Sequence, residues 1–344
     1  MFSLIPNFMQ PTDFSKYLTS FLTKYLSHER GASSNTISSY RDTFVLLITF
    51  LETKNIKLNK LTLEQITKDN VVDFLNWTQS ERKNTNATRN ARLAAIHSFY
   101  KYLQYQHPEN LYGYQQILSI RTKKAEQIQM NYLSIEGITL LLRQPDLATS
   151  KGRRDLTLLS LLYDTGSRVQ ELIDLTPLNI RLDNPSTIRV TGKGKKTRII
   201  PMQDEQVKLL KNYIHEHQLA EPEANMYPLF YNSRREKLTR AGVNHILHKY
   251  AAKARIKNAK LIPERISCHC LRHSKAMHLL QAGVNLVYIR DILGHVSVQT
   301  TEVYARADSK KKREAIEKAY VDVVPKQTPA WIKNNNLLGW LKSF

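Results

Sequence analysis

Cysteine is nearly missing from this chain of 344 residues: Cys268 and Cys270 are the two present, and His269 stands between them. One intervening residue is poor spacing for an ordinary disulfide, and no second pair exists to complete a zinc site. A crosslinked or zinc-stapled fold is therefore excluded, and a reducing compartment is expected. Long apolar runs are absent too. Met1-Phe-Ser-Leu-Ile-Pro is too short for a membrane span or a signal peptide, and polar residues follow it. The expectation is a soluble, cytoplasmic chain with no membrane partner. No internal repeat or low-complexity tract interrupts it. Acidic residues are scarce relative to basic ones, 30 Asp plus Glu against 51 Lys plus Arg, for a formal net charge of +21. Such a surplus suits a polyanion. With membranes set aside, that polyanion is nucleic acid.

What the chain does contain is concentrated. His269-Cys270-Leu271-Arg272-His273 is followed by Leu293-Gly294-His295 and then by Tyr304. Upstream, Thr165-Gly166-Ser167-Arg168-Val169-Gln170-Glu171-Leu172 adds an arginine, and Gly192-Lys193-Gly194-Lys195-Lys196 sets lysines between two short β-patterned runs. These residue types suit attack of a phenol on a phosphodiester. Negative charge develops on the non-bridging oxygens, and a guanidinium binds two such oxygens in a fixed fork. Arg168 and Arg272 fit that role. His269 and His295 are candidates for orienting the phosphate and easing deprotonation of the attacking hydroxyl. Lys193, at a hairpin tip, is a candidate donor of the proton that the leaving 5′ oxygen needs. Tyr304 would be the nucleophile, conserving the bond energy in a phosphotyrosine. No cluster has the spacing of a metal centre, so neither metal nor cofactor is expected.

Spacing supports these roles. His269 and Arg272, three residues apart, fall on one face at the start of a helix predicted over about 270–282, where an anion would also meet the helix N-terminus. Gly283 suits the position just past that helix, 284–293 reads as the next amphipathic segment, and Gly294 breaks it. A helical 300–303 would carry Tyr304 back towards the pocket. Several residues have a plainer reading as well. His273 taken alone reads as a structural histidine, Lys195 and Lys196 as solvated or phosphate-contacting lysines, and Glu171 either as the acidic partner of Arg168 or as a helix-surface charge.

In the order Arg168, Lys193, His269, Arg272, His295, Tyr304, with nine residues from His295 to Tyr304, the set resembles the catalytic residues of the tyrosine recombinase (integrase) family. The resemblance covers about residues 12–310. It selects Lys193 among the hairpin lysines and makes Glu171 and His273 supporting residues. It implies a mainly α fold with a small antiparallel β-sheet (α+β), built as a two-domain DNA clamp. Helical periodicity over 14–26, 36–51, 62–77 and 87–105 is consistent with a helical first domain, with Ser33 or Ser34 as one cap. The last of these segments resembles the closing helix of the recombinases' core-binding domain, its Arg, Asn and Lys face turned to DNA. Lys83, Arg89 and Arg92 would there contact phosphates, as would Lys195 and Lys196. The expected organisation is a core-binding (SAM-like) domain over 12–118, a linker over 119–131, a catalytic domain over 132–320 opening at Ser134 as an N-cap, and a tail over 321–344. Within the catalytic domain 187–190 and 197–201 read as strands.

The implied reaction is cleavage and rejoining of DNA strands through a 3′-phosphotyrosine and a Holliday junction, carried out by four protomers on two specific sites of double-stranded DNA. An accessory protein is a possible further partner. About ten residues precede the core-binding domain, fewer than an arm-binding domain needs, which points to a simple integrase, a transposase or an Xer-like resolvase; the tail, longer than the compact Xer layout, favours movement of a mobile element. An Xer-like resolvase of chromosome or plasmid dimers is the alternative. A type IB topoisomerase and a non-catalytic DNA-binding protein stand as readings of another class. The apolar tail, with Trp331, Ile332, Leu337, Leu338, Trp340 and Leu341 behind Pro325 and Pro329, is expected either to fold back on its own domain or to pass to a neighbouring subunit.

Overall fold

The computed structural model describes residues 11–126, 130–192, 194, 196–295, 297–307, 339 and 341–342. The chain separates into two compact units, Met1–Ile128 and Gln129–Phe344. The first is helical. Helix α1 (Asp13–Ser20) runs on into a π-helical stretch, Phe21–Glu29, and is followed by α2 (Ser34–Thr53), α3 (Lys68–Ser80), α4 (Asn86–Gln106) and α5 (Leu111–Leu118). Four of these helices start on a Ser or Thr whose hydroxyl accepts an N–H three residues on: Thr12, Ser33, Thr67 and Thr85. The cap at Thr67 corrects the expected start of the third helix. Leu61, Leu63 and Ile66 are buried, which mimics helical periodicity, but they lie on irregular chain ahead of the cap. Helix α5 was not expected at all. Phe99 on α4 is the hub of the core, meeting Phe44, Phe21 and Phe14 edge-on at centroid distances of 5.2, 5.3 and 6.1 Å.

Helix α4 departs from its expected DNA-facing pattern in two places. Asn90 spends its amide on the main chain of Lys123, donating to the carbonyl at 2.7 Å and accepting the N–H at 3.0 Å. Asn86 likewise donates to the carbonyl of Lys124. The start of the expected linker is thus laced along α4. Arg89, expected on an exposed face, is 4% exposed, and its Nε and one terminal nitrogen have no hydrogen-bond partner. Arg92 is half-buried and Lys83 exposed, the latter at φ 51°.

The second unit packs eight helices and a three-stranded sheet among its described residues. Helix α6 (Ile135–Leu142) starts at Ser134, which accepts from Gly137 as an N-cap. The buried α7 (Ser150–Thr165) supplies Leu158, Leu159, Leu161 and Leu162 to the core. After α8 (Val169–Ile173), strands β1 (Ile180–Arg181), β2 (Thr187–Thr191) and β3 (Thr197–Pro201) pair antiparallel in sequence order, with Thr187 opposite Pro201 and Thr191 opposite Thr197. Ile188 and Val190 point inward, as alternation requires. Helices α9 (Asp204–Glu216), α10 (Arg240–Lys257), α11 (Cys268–Gln281), α12 (Leu286–Leu293) and α13 (Gln299–Ala307) complete it. A buried ion pair, Arg154 to Asp155 at 2.6 Å, ties α7 to α10 because Tyr250 donates to the same carboxylate. A smaller cluster of Ala276, Met277, Leu280, Ile289, Leu293 and Tyr304 holds α11, α12 and α13 together. Lys193 and Lys195 lie outside the described residues, as do 308–338 and with them most of the expected tail.

Candidate active site

Two left-handed glycines set the site. Gly166 ends α7 at φ 56° and Gly294 ends α12 at φ 66°, a conformation that costs glycine least. Behind Gly166 the chain reverses so that Arg168 is the residue before α8. Its N–H donates to Glu171 Oε2 at 2.9 Å and its guanidinium donates to Oε1 at 2.7 Å. The side chain of Arg168 is 38% exposed, which leaves its other donors facing solvent. Glu171 is 5% exposed. Burial opposes its ionisation, but hydrogen bonds from Arg198 and Arg168 outweigh that and hold the carboxyl below its usual range. Glu171 is thus a buried partner of Arg168 rather than a surface charge.

Arg272, on the second turn of α11, is 3% exposed and donates to the carbonyls of Gly166 at 2.6 Å and Leu293 at 2.7 Å. Those are the chain at the first glycine and the chain beside the second. Burial, then the charge of Arg168, lowers its guanidinium to about 10, so it stays cationic at neutral pH. His269 sits exposed on the first turn of α11, its ring 6.3 Å from that of His273. Partial desolvation and the charges of Arg272 and Arg168 lower its pKa.

Tyr304 is 3% exposed on α13, and its hydroxyl shares a hydrogen bond of 3.0 Å with His273 Nδ1. His269 and His295 are the sequence candidates for orienting the phosphate and easing deprotonation; the imidazole hydrogen-bonded to the hydroxyl is that of His273. His295 lies parallel to the Tyr304 ring, centroids 6.2 Å apart and planes 5° apart, and bonds through Nδ1 to Thr301 Oγ1 at 2.9 Å. Burial first, then nearby rings and guanidinium groups, lowers both His273 and His295 to about 4. Both are neutral at pH 7. Burial raises the Tyr304 phenol, while Arg272 and Arg168 pull it back down. A neutral imidazole on a buried phenol can take its proton, and the two arginines stabilise the charge that results.

The described members therefore converge: Arg168, Glu171, His269, Arg272, His273, His295 and Tyr304. Lys196 is exposed beside them on the β2–β3 hairpin, its carbonyl accepting from Gly192. Sequence reasoning missed Arg198, which donates to Glu171 Oε2 at 2.7 Å. Strand alternation carried the signal, since Arg198 shares a face with the buried Ile200. Cys268 and Cys270 are buried, unpaired thiols, and burial pushes Cys268 up to about 12. Among the described residues no group of three His, Cys, Asp or Glu side chains converges to hold a metal, and no helix is long and apolar enough to cross a membrane.

A sequence model of the phage integrase family matches residues 132–311, and one of the phage integrase N-terminal SAM-like domain matches 18–107. The chain belongs to the phage integrase family. This integrase is 35% identical to the integrase/recombinase y4rC of Sinorhizobium fredii over 327 residues, which is 95% of this chain and 97% of that protein. It is 32% identical to the tyrosine recombinase XerD of Staphylococcus epidermidis over 84% of this chain and 93% of that one. A pre-cleavage complex of the XerH site-specific recombinase bound to difH superposes with a TM-score of 0.65 at 25% identity, covering 88% of the integrase and 85% of that chain. The Tn1549 transposon integrase with transposon right-end DNA shares the fold, with a TM-score of 0.67 at 18% identity over 87% of this chain and 98% of that one.

Proposed function

We propose that this integrase is a site-specific DNA recombinase in which Tyr304 is the nucleophile. The observation that carries the reading is the Tyr304 hydroxyl hydrogen-bonded to a neutral His273, under the influence of Arg168 and Arg272. His273 takes the phenolic proton as the tyrosine oxygen attacks the scissile phosphorus. Arg168 and Arg272 neutralise the non-bridging oxygens, with His269 and His295 orienting the phosphate. The bond to the 5′ oxygen breaks, and Lys193 protonates that oxygen. A 3′-phosphotyrosine and a free 5′ hydroxyl remain. The 5′ hydroxyl of a second duplex reverses the chemistry on the new strand, and a second round resolves the Holliday junction. Two duplexes cut at two points each require four protomers, so the working form is a tetramer on two recombination sites. Movement of a mobile element is the preferred role, and dimer resolution is the other.

Affinity for the duplex comes from phosphate contacts, which the net charge of +21 favours. The exposed Lys83 and Lys196 and the half-buried Arg92 are accessible for them. Arg89, whose buried nitrogens have no acceptor in the free protein, gains one when a phosphate arrives. The 12–118 and 132–320 segments are the DNA-holding and catalytic domains.

The test is a nicked duplex from the DNA flanking the gene, incubated with wild type and with Tyr304→Phe and run on a denaturing gel. A protein–DNA adduct with wild type alone is expected. Tight binding without an adduct would favour a binding protein; an adduct together with relaxation of a supercoiled plasmid, and no strand exchange between two duplexes, would favour a topoisomerase.

A further inference from the structure

The last carbonyls of a helix lack helical partners and carry the negative end of its dipole. At the end of α12 two arginines from distant parts of the chain meet them. Leu293 accepts from Arg272, and Ile292 accepts from Arg198 Nε at 2.8 Å. Arg198 is on β3, 94 residues before Ile292, and its side chain is 11% exposed. The same guanidinium donates through a terminal nitrogen to Glu171 Oε2. It therefore joins the carboxylate that holds Arg168 to the helix end that precedes His295.

The contact is close. A Cβ on Gly294 would lie 2.9 Å from a terminal nitrogen of Arg198, 3.1 Å from its Cδ and 3.2 Å from its Cζ. The turn that delivers His295 thus closes directly onto the Arg198 side chain. Glu171 also depends on it. Oε1 serves the Arg168 guanidinium, while Oε2 serves the Arg168 N–H and Arg198. Without Arg198 one carboxylate oxygen loses its charged donor and can swing onto further donors of Arg168, which the phosphate needs.

We infer that Arg198 is a positioning residue for strand cleavage: by bridging Glu171 and the Ile292 carbonyl it fixes the separation between Arg168 on one side of the scissile phosphate and His295 on the other. This rests on the recombinase reading above. The hydrogen bonds of the Arg198 side chain go to Glu171 and Ile292, not to Tyr304. The planar fork is what the task needs, because two acceptors in different directions are reached at once, and lysine would satisfy one of them.

The experiment is single-turnover cleavage of the nicked duplex at saturating protein, with the affinity for that duplex and the unfolding temperature measured alongside. Wild type, Arg198→Lys, Arg198→Gln, Glu171→Gln and the double Arg198→Gln/Glu171→Gln protein are compared. Cleavage by Arg198→Gln should slow about 100-fold, the cost of a misplacement of about 1 Å. Affinity should stay within about twofold, the lysine variant should fall between, and the double variant should be no slower than the slower single one. Wild-type cleavage rates in Arg198→Lys and Arg198→Gln would overturn the inference. So would a loss of affinity matching the loss of rate, which would make Arg198 a direct phosphate ligand, or additive effects in the double variant. If Arg198→Gln fails to fold, Arg198→Lys decides by the same split of rate from affinity. An adduct absent from wild type would instead sink the recombinase reading, so the two failures are told apart.

Discussion

Arg89 and Arg272 are buried to nearly the same degree, 4% and 3% exposed, one in each unit of the molecule. Their surroundings are opposite. Arg272 gives its terminal nitrogens to two main-chain carbonyls, whereas Arg89 leaves Nε and a terminal nitrogen unmet. A buried cation with acceptors is a rigid fixture; one without is a standing cost that a ligand can remove. The catalytic unit has built its arginine into the free protein. The helical unit leaves one without acceptors for two of its nitrogens.

Replacing the built-in arginine should have the larger effect. Arg272→Gln is expected to slow single-turnover cleavage about 1,000-fold, as loss of a charge aimed at a transferring phosphoryl group does. It should also lower the unfolding temperature, because the Gly166 and Leu293 carbonyls lose charged donors. Cleavage within tenfold of wild type would mean that this guanidinium is a strut and nothing more. Next in size is His273→Gln, for which about a 100-fold loss of adduct formation is expected with DNA affinity unchanged. A wild-type rate would return the general-base role to His269 or His295.

Arg89→Met sharpens the contrast itself. Removing an unpaired buried cation should stabilise the free protein by about 1 kcal/mol in denaturant unfolding. On DNA the same change should weaken binding and reduce the slope of log affinity against log salt by about 1. A stability gain with an unchanged slope would show that Arg89 meets no phosphate. The unfolding temperature should also fall as pH drops from about 6.5 towards 4, since His273 and His295, lowered to about 4, stay neutral in the fold while the unfolded chain takes up their protons first. Above about pH 7 that contribution is fully present, and His273→Gln should flatten part of the acid limb. The smallest effect belongs to Lys83→Ala, which should cost DNA affinity about as much for any sequence and leave cleavage at saturation untouched.

Much of the second unit was legible in its residue order. The helix beginning at the His269 motif, the stop at Gly283, the break at Gly294 and the β2–β3 hairpin follow from caps, glycines and alternation, all of which act over a few residues. What escaped is carried by contacts between residues far apart. Strand alternation puts Arg198 on the face of Ile200, but its two partners, Ile292 and Glu171, lie 94 and 27 residues away, and His273, plain in sequence, meets Tyr304, 31 residues on. In the first unit the apolar Leu61, Leu63 and Ile66 imitate a helix because burial leaves the same mark on irregular chain. Asn90 carried the opposite error: an exposed-looking amide on a basic helix face is used to fasten Lys123.

Gly166 has no functional group, yet a Cβ there would lie 2.6 Å from Leu293 Cδ2, and its carbonyl is one of the two that seat Arg272. A saturation screen for recombination would therefore rank it beside Tyr304. Sensitivity maps drawn from such screens record lost space as strongly as lost chemistry, and in this enzyme both glycine joints are expected to stand out beside the side chains that carry charge.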